Sequence, residues 1–131
     1  MPTKSEHLAR AKHNQRFAES FELKTTPYPD WVVVAYFYAA MHLVDALLWE
    51  SDKINPPNHE ERGKCVKDKW YLRGIKNEYR SLKDHSEDAR YRLITFTSQK
   101  IENTVVPLYK TIKVHVQQIL DNLSQYPRVV K

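Results

Sequence analysis

The chain has 131 residues, 21 Lys and Arg against 16 Asp and Glu for a formal net charge of +5, two glycines and one cysteine. That length supports a single core, and with only Gly63 and Gly74 neither G-x-G-x-x-G nor G-x-x-x-x-G-K-[ST] can be present, which excludes glycine-loop dinucleotide and P-loop enzymes. The lone Cys65 excludes an internal disulfide and a cysteine-based zinc site, and the shortage of glycine argues against a turn-rich β sandwich or barrel.

From Ser5 to Phe21, Leu8, Ala11, Phe17, Ala18 and Phe21 recur at mostly helical spacing, and Ser5 or Thr3 stands where a cap belongs. Thr25 to Pro29 interrupts, because proline disfavours helical geometry in the residue before it, and Asp30 is a candidate cap for a second helix beginning near Pro29 to Trp31. That helix, to about Trp49 to Ser51, is apolar nearly all round and predicts the core of the domain. Its longest apolar run, Trp31 to Met41, is short of the ~20 residues of a membrane span, so no membrane is expected. With no apolar leader at the start, a cytoplasmic protein is the expectation.

Pro56-Pro57 marks a loop, and Asn58 caps a third helix with Glu60 and Glu61 in its first turn, where the helix dipole favours acids. This helix is expected to pause around Lys69 to Gly74 and resume through Ile75, Tyr79 and Leu82. Asp84-His85-Ser86-Glu87 has the D-x-x-E form of a capping box, which predicts a break and restart near residue 84. A last helix carries Ile101, Val105, Leu108, Ile112, Val116, Ile119 and Leu123, with Pro107 early in it or kinking it. The expected fold is one all-α domain over residues 1–131, an antiparallel bundle of four or five helices.

Four stretches in one order then carry a likeness that composition does not supply: His7-Leu8-x-x-Ala11-x-x-Asn14; Asp30-Trp31 followed by Tyr36-Phe37-Tyr38-Ala39-Ala40-x-His42; His59-Glu60-Glu61-Arg62; and Tyr79-x-x-Leu82-x-x-x-Ser86-x-x-Ala89-Arg90-Tyr91. Together they resemble a HEPN-like helical protein of bacteria and archaea, over residues 5–91, with the last helix as closing element. The resemblance implies a bundle that usually dimerises, in a superfamily of metal-independent ribonucleases, toxins paired with small nucleotidyltransferases, and members without known catalysis. A homodimer, RNA or a nucleotide as ligand, and a nucleotidyltransferase-like partner are the expectations that follow, with no cofactor.

The ribonuclease members carry Arg-x4-6-His, and Arg80 to His85 has that form, so the resemblance marks these two as candidate catalytic residues. In RNA cleavage by its own 2′-OH, histidine supplies a base near neutral pKa and arginine a cation for the phosphorane oxygens. On a continuous helix, however, positions five apart lie about 140° apart around the axis and about 7.5 Å along it. Their convergence needs either the break near residue 84 or a two-fold dimer.

Two further sites are legible in the sequence. Tyr38, His42 and Asp45 form one polar stripe on an otherwise apolar helix, and His59 and Arg62 share a face at the start of the third. With Asn14 and His7 from the first helix they make either a small anionic-ligand pocket, Arg62 holding phosphate or carboxylate, or an internal hydrogen-bond network that fixes register. His42, Asp45 and His59 are metal-ligand types without a recurrent metal spacing, so no metal site is assigned.

Residues 62–83 hold eight Lys and Arg against two acids, which concentrates the net charge in one segment. Lys69, Arg73, Lys76 and Lys83 are its candidate nucleic-acid contacts, with Trp70 and Tyr71 as stacking candidates at the interruption, and Tyr79 and Tyr91 read as core.

Overall fold

The computed structural model describes residues 2–123. They are all-helical, without strands among the described residues, and five helices form the bundle. We label them α1 (Lys4–Glu19), α2 (Pro29–Asp52), α3 (His59–Asp68), α4 (Lys76–Tyr91) and α5 (98–123). The last runs without interruption through Ser98–Lys100, a π turn Ile101–Val105 and Val106–Leu123.

The centre is α2, which packs against α1, α4 and α5. Its run of Val32, Val33 and Val34 has low helix propensity, yet all three are buried, and burial outweighs propensity here. Fifteen of its residues, including Phe37, Val44, Leu47 and Leu48, are buried. By length and composition α2 could cross a membrane, but 83% of its most apolar stretch is buried inside the bundle. The helix extends well past the apolar run because His42 and Asp45 find partners inside the fold.

At the start of α1, Thr3 and Glu6 form a reciprocal capping box. Its core face presents Ala11 and Ala18, small side chains that let it lie close along α2. Pro29, not Asp30, sets the start of α2: it occupies the first turn, Tyr28 is the cap residue without a side-chain bond, and Asp30 lies inside the helix. For α3 the expected cap is present, with Asn58 Oδ1 accepting from the Glu61 amide at 2.8 Å.

The pause after α3 is real and ends in a 3-10 turn, Arg73–Ile75. There Gly74 answers a close approach: a Cβ would stand 2.9 Å from Cε1 of His115 on α5, whose Nε2 is 2.8 Å from the Tyr71 carbonyl. The expected break near residue 84 does not occur. Tyr79, Leu82, Ser86 and Ala89 form one buried stripe of α4, and packing that stripe outweighs the local capping signal of Asp84 and Glu87. Glu87 instead pairs with Lys83 one turn away at 3.6 Å.

In α5, Pro107 has no amide to donate and would crowd a regular turn before it. The π turn absorbs this: the Val106 amide reaches back five residues to the Ile101 carbonyl. Tyr109 Oη then donates to Gln15 Oε1 at 2.7 Å and Lys113 Nζ to the same oxygen at 2.8 Å, fastening α5 to α1.

Candidate functional site

On the outer face of the α1–α2 pair lies an open groove of about 640 Å³. From α1 it receives Glu6, His7, Arg10, Asn14 and Phe17, and from α2 Trp31, Val34, Ala35, Tyr38 and His42. The spacing explains the strip on each helix. Positions 7, 10, 14 and 17 and positions 31, 34, 35, 38 and 42 fall three or four apart, so each set shares one face.

Two of the groove's aromatic rings are unusually open for their size: Phe17 is 47% exposed and Trp31 52%. Tyr38 forms the wall between them and α4. Its hydroxyl accepts from Arg90 Nη1 at 2.9 Å, and the Arg90 guanidinium stands over both its ring and that of Tyr91. Arg10 supplies an exposed cation and Asn14 a half-buried amide.

The end nearest the N-terminus is a chain of hydrogen bonds. Asn55 Nδ2 donates to the Pro2 carbonyl at 3.1 Å, so its Oδ1 faces Nε2 of His7 at 2.7 Å, and His7 Nδ1 meets His42 Nδ1 at 3.2 Å. Burial pushes the His42 pKa down to about 4, against the opposing pull of Asp45. His42 is therefore a neutral imidazole near pH 7.

Behind the groove Arg62 grips Asp45 with two bonds, Nε to Oδ1 at 2.8 Å and Nη2 to Oδ2 at 3.1 Å, and both side chains are buried. Burial works against the Arg62 cation, and the hydrogen bonds and charge of Asp45 outweigh it, holding the guanidinium above its ordinary pKa. His59 Nδ1 lies 3.3 Å from Arg62 Nη1, and its pKa is lowered by burial first and by the Arg62 charge next.

Of the seven residues read as a ligand site, His7, Asn14, Tyr38 and His42 line the groove, while Asp45, His59 and Arg62 form the internal network behind it. Arg62, buried and held by Asp45 and His59, is not presented to a ligand. The sequence reading passed over Arg10, Phe17 and Trp31, although the spacing of Arg10, Asn14 and Phe17 on α1 was the available signal.

Arg80 and His85 stay on one unbroken helix, α4, and the single chain does not bring them together. Arg80 is exposed. His85 packs edge-on against Phe96 with ring centres 5.9 Å apart, and its Nδ1 is buried without a hydrogen-bond partner.

The basic segment is partly neutralised. Lys69 pairs with Asp52 at 3.2 Å, Lys83 with Glu87, and Arg73 Nη2 donates to the Asp68 carbonyl at 3.1 Å, while Lys76 is half-buried. Among the aromatics, Trp70 is 63% exposed and Tyr79 is core, as read. Tyr71 and Tyr91 reverse their expected places. Tyr71 is buried with its hydroxyl on Asp52, and Tyr91, at the end of α4 beyond the buried stripe, is 71% exposed.

No family model, no curated protein and no solved structure matches the chain.

Proposed function

We propose that the chain is a HEPN-like helical module that binds a nucleotide unit of RNA in the α1–α2 groove. One observation carries this reading: exposed aromatic faces, Phe17 and Trp31, share a groove with the cation Arg10 and with the amide and imidazole of Asn14 and His42. A base has a π face to stack on, a phosphate needs a cation, and a chain with two glycines must hold phosphate by side chains rather than by a backbone cradle. The groove's volume is within the ~300–1,000 Å³ range of small-ligand sites.

Binding is the function; cleavage by Arg80 and His85 would need a second copy, since the two diverge on α4. Calorimetric titration with a nucleoside monophosphate and with a short single-stranded oligoribonucleotide tests the reading. Arg10→Ala with Trp31→Ala is expected to weaken binding roughly 10- to 100-fold, the size of one lost stacking contact and one lost phosphate cation. Arg80→Ala leaves it unchanged. Absence of binding to either ligand, or binding indifferent to the groove variant, refutes the proposal.

A further inference from the structure

The paired imidazoles at the end of the groove carry a second property. His7 and His42 approach through like atoms, Nδ1 to Nδ1, at 3.2 Å. Two nitrogens on one tetrahedral ion at about 2.0–2.1 Å each stand about 3.3 Å apart, so the pair already has the separation that a shared ion imposes. A carboxylate oxygen of Asp45, one turn beyond His42 on α2, lies within 4.8 Å of a ring nitrogen of each.

The orientation of His7 is fixed for this purpose. The Pro2 carbonyl can only accept, so Asn55 turns its amide nitrogen there and its oxygen to His7 Nε2, at 2.7 Å. That oxygen accepts the Nε2 proton and leaves the His7 Nδ1 lone pair bare, aimed at His42. A carbonyl oxygen holding the far nitrogen of a ligating histidine is the usual outer support of a metal site. Arg62 likewise holds the Asp45 carboxylate with two donors, leaving further lone pairs on its oxygens.

We propose that His7 Nδ1, His42 Nδ1 and the Asp45 carboxylate bind one divalent transition-metal ion of the Zn2+ class, with its remaining coordination open to the groove that both histidines line. Two imidazoles and one carboxylate favour Zn2+, Co2+ or Ni2+, whereas Ca2+ and Mg2+ take all-oxygen sets. Without the ion, His42 Nδ1 donates its proton to His7 Nδ1. On binding, that proton passes through solvent to His42 Nε2, two metal–nitrogen bonds replace the hydrogen bond, and no net proton is released. The site stands independently of nucleotide binding.

The test is titration of the chelator-stripped full chain with Zn2+ alone by calorimetry, and with Co2+ followed by visible absorption. One ion per chain and the intense bands of four-coordinate Co2+ are expected. His7→Ala abolishes the site. Asn55→Ala, which keeps all three ligands and frees the His7 ring together with the Pro2 carbonyl, weakens it about 10- to 100-fold, with folding checked by circular dichroism. His13→Ala, an exposed histidine of the same helix, leaves it intact. No Zn2+ uptake, only the faint bands of six-coordinate Co2+, or affinity unchanged in both His7→Ala and Asn55→Ala overturns the proposal.

Discussion

At the scale of the residue, polar side chains that interrupt apolar helices find their partners inside the fold. Asp45 is buried on α2, and the two-pronged contact from Arg62 is what makes its charge tolerable there. Arg62→Met, which leaves that carboxylate buried and unpaired, is expected to destabilise the protein by about 3–5 kcal/mol in urea denaturation. A loss of less than about 1 kcal/mol would show that Asp45 is solvated in the fold. Sequence spacing placed Tyr38, His42 and Asp45 on one stripe correctly, because positions three and four apart share a helix face. It could not supply the contact between His7 and Asn55, which are 48 residues apart and meet only through tertiary packing.

His85 gives a prediction with a sign. Burial first, then the charge of Lys100 on α5, hold its pKa below the ordinary histidine value of about 6.5, while Asp84 and Asp88 of its own helix pull the other way. The folded state therefore binds this proton less readily than the unfolded chain. Stability contributed by neutral His85 is complete above about pH 6.5 and is lost as pH falls below it. His85→Leu removes the proton site and keeps an apolar contact for Phe96. The stability difference between variant and wild type, measured in urea at pH 7 and pH 5, is expected to shift in the variant's favour at the lower pH. A difference identical at both values contradicts the burial of His85.

At the scale of the element, caps and prolines were legible and breaks were less so. Thr3, Pro29, Asn58 and Pro107 each act where local chemistry places them. Asp84 and Glu87 do not, because a capping motif competes with continuation of the helix, and the buried stripe ending at Ala89 decides for continuation. Two helix ends lack the glycine that a left-handed cap prefers. Lys53 after α2 has φ 56° and Leu93 after α4 has φ 55°, and Leu93 is also 88% exposed. Leu93→Gly, which relieves the Cβ crowding and removes no buried surface, is expected to stabilise by about 0.5–1 kcal/mol and raise the Tm. A lowered Tm would mean that the Leu93 side chain contributes packing.

At the scale of the whole molecule, the charge distribution is read differently once folded. The basic segment 62–83 loses Arg62 to the interior and ties Lys69 and Lys83 into ion pairs, so the strip that sequence counting marks as the nucleic-acid face is weaker than its charge count. The groove was nearly invisible to the same counting. It is assembled from two strips about 25 residues apart in sequence, a mostly polar one on α1 and a mostly apolar one on α2, and only the antiparallel packing of α1 on α2 adds them together.

The three tryptophans make this distinction measurable, since Trp31 stands in the groove and Trp70 on the surface beyond α3. In a titration of nitrogen-15-labelled protein with a short oligoribonucleotide, followed by the three indole N–H signals, binding in the groove predicts that the Trp31 signal shifts progressively while that of Trp70 stays in place. Movement of Trp70 with Trp31 unmoved would contradict it and assign recognition to the basic segment instead.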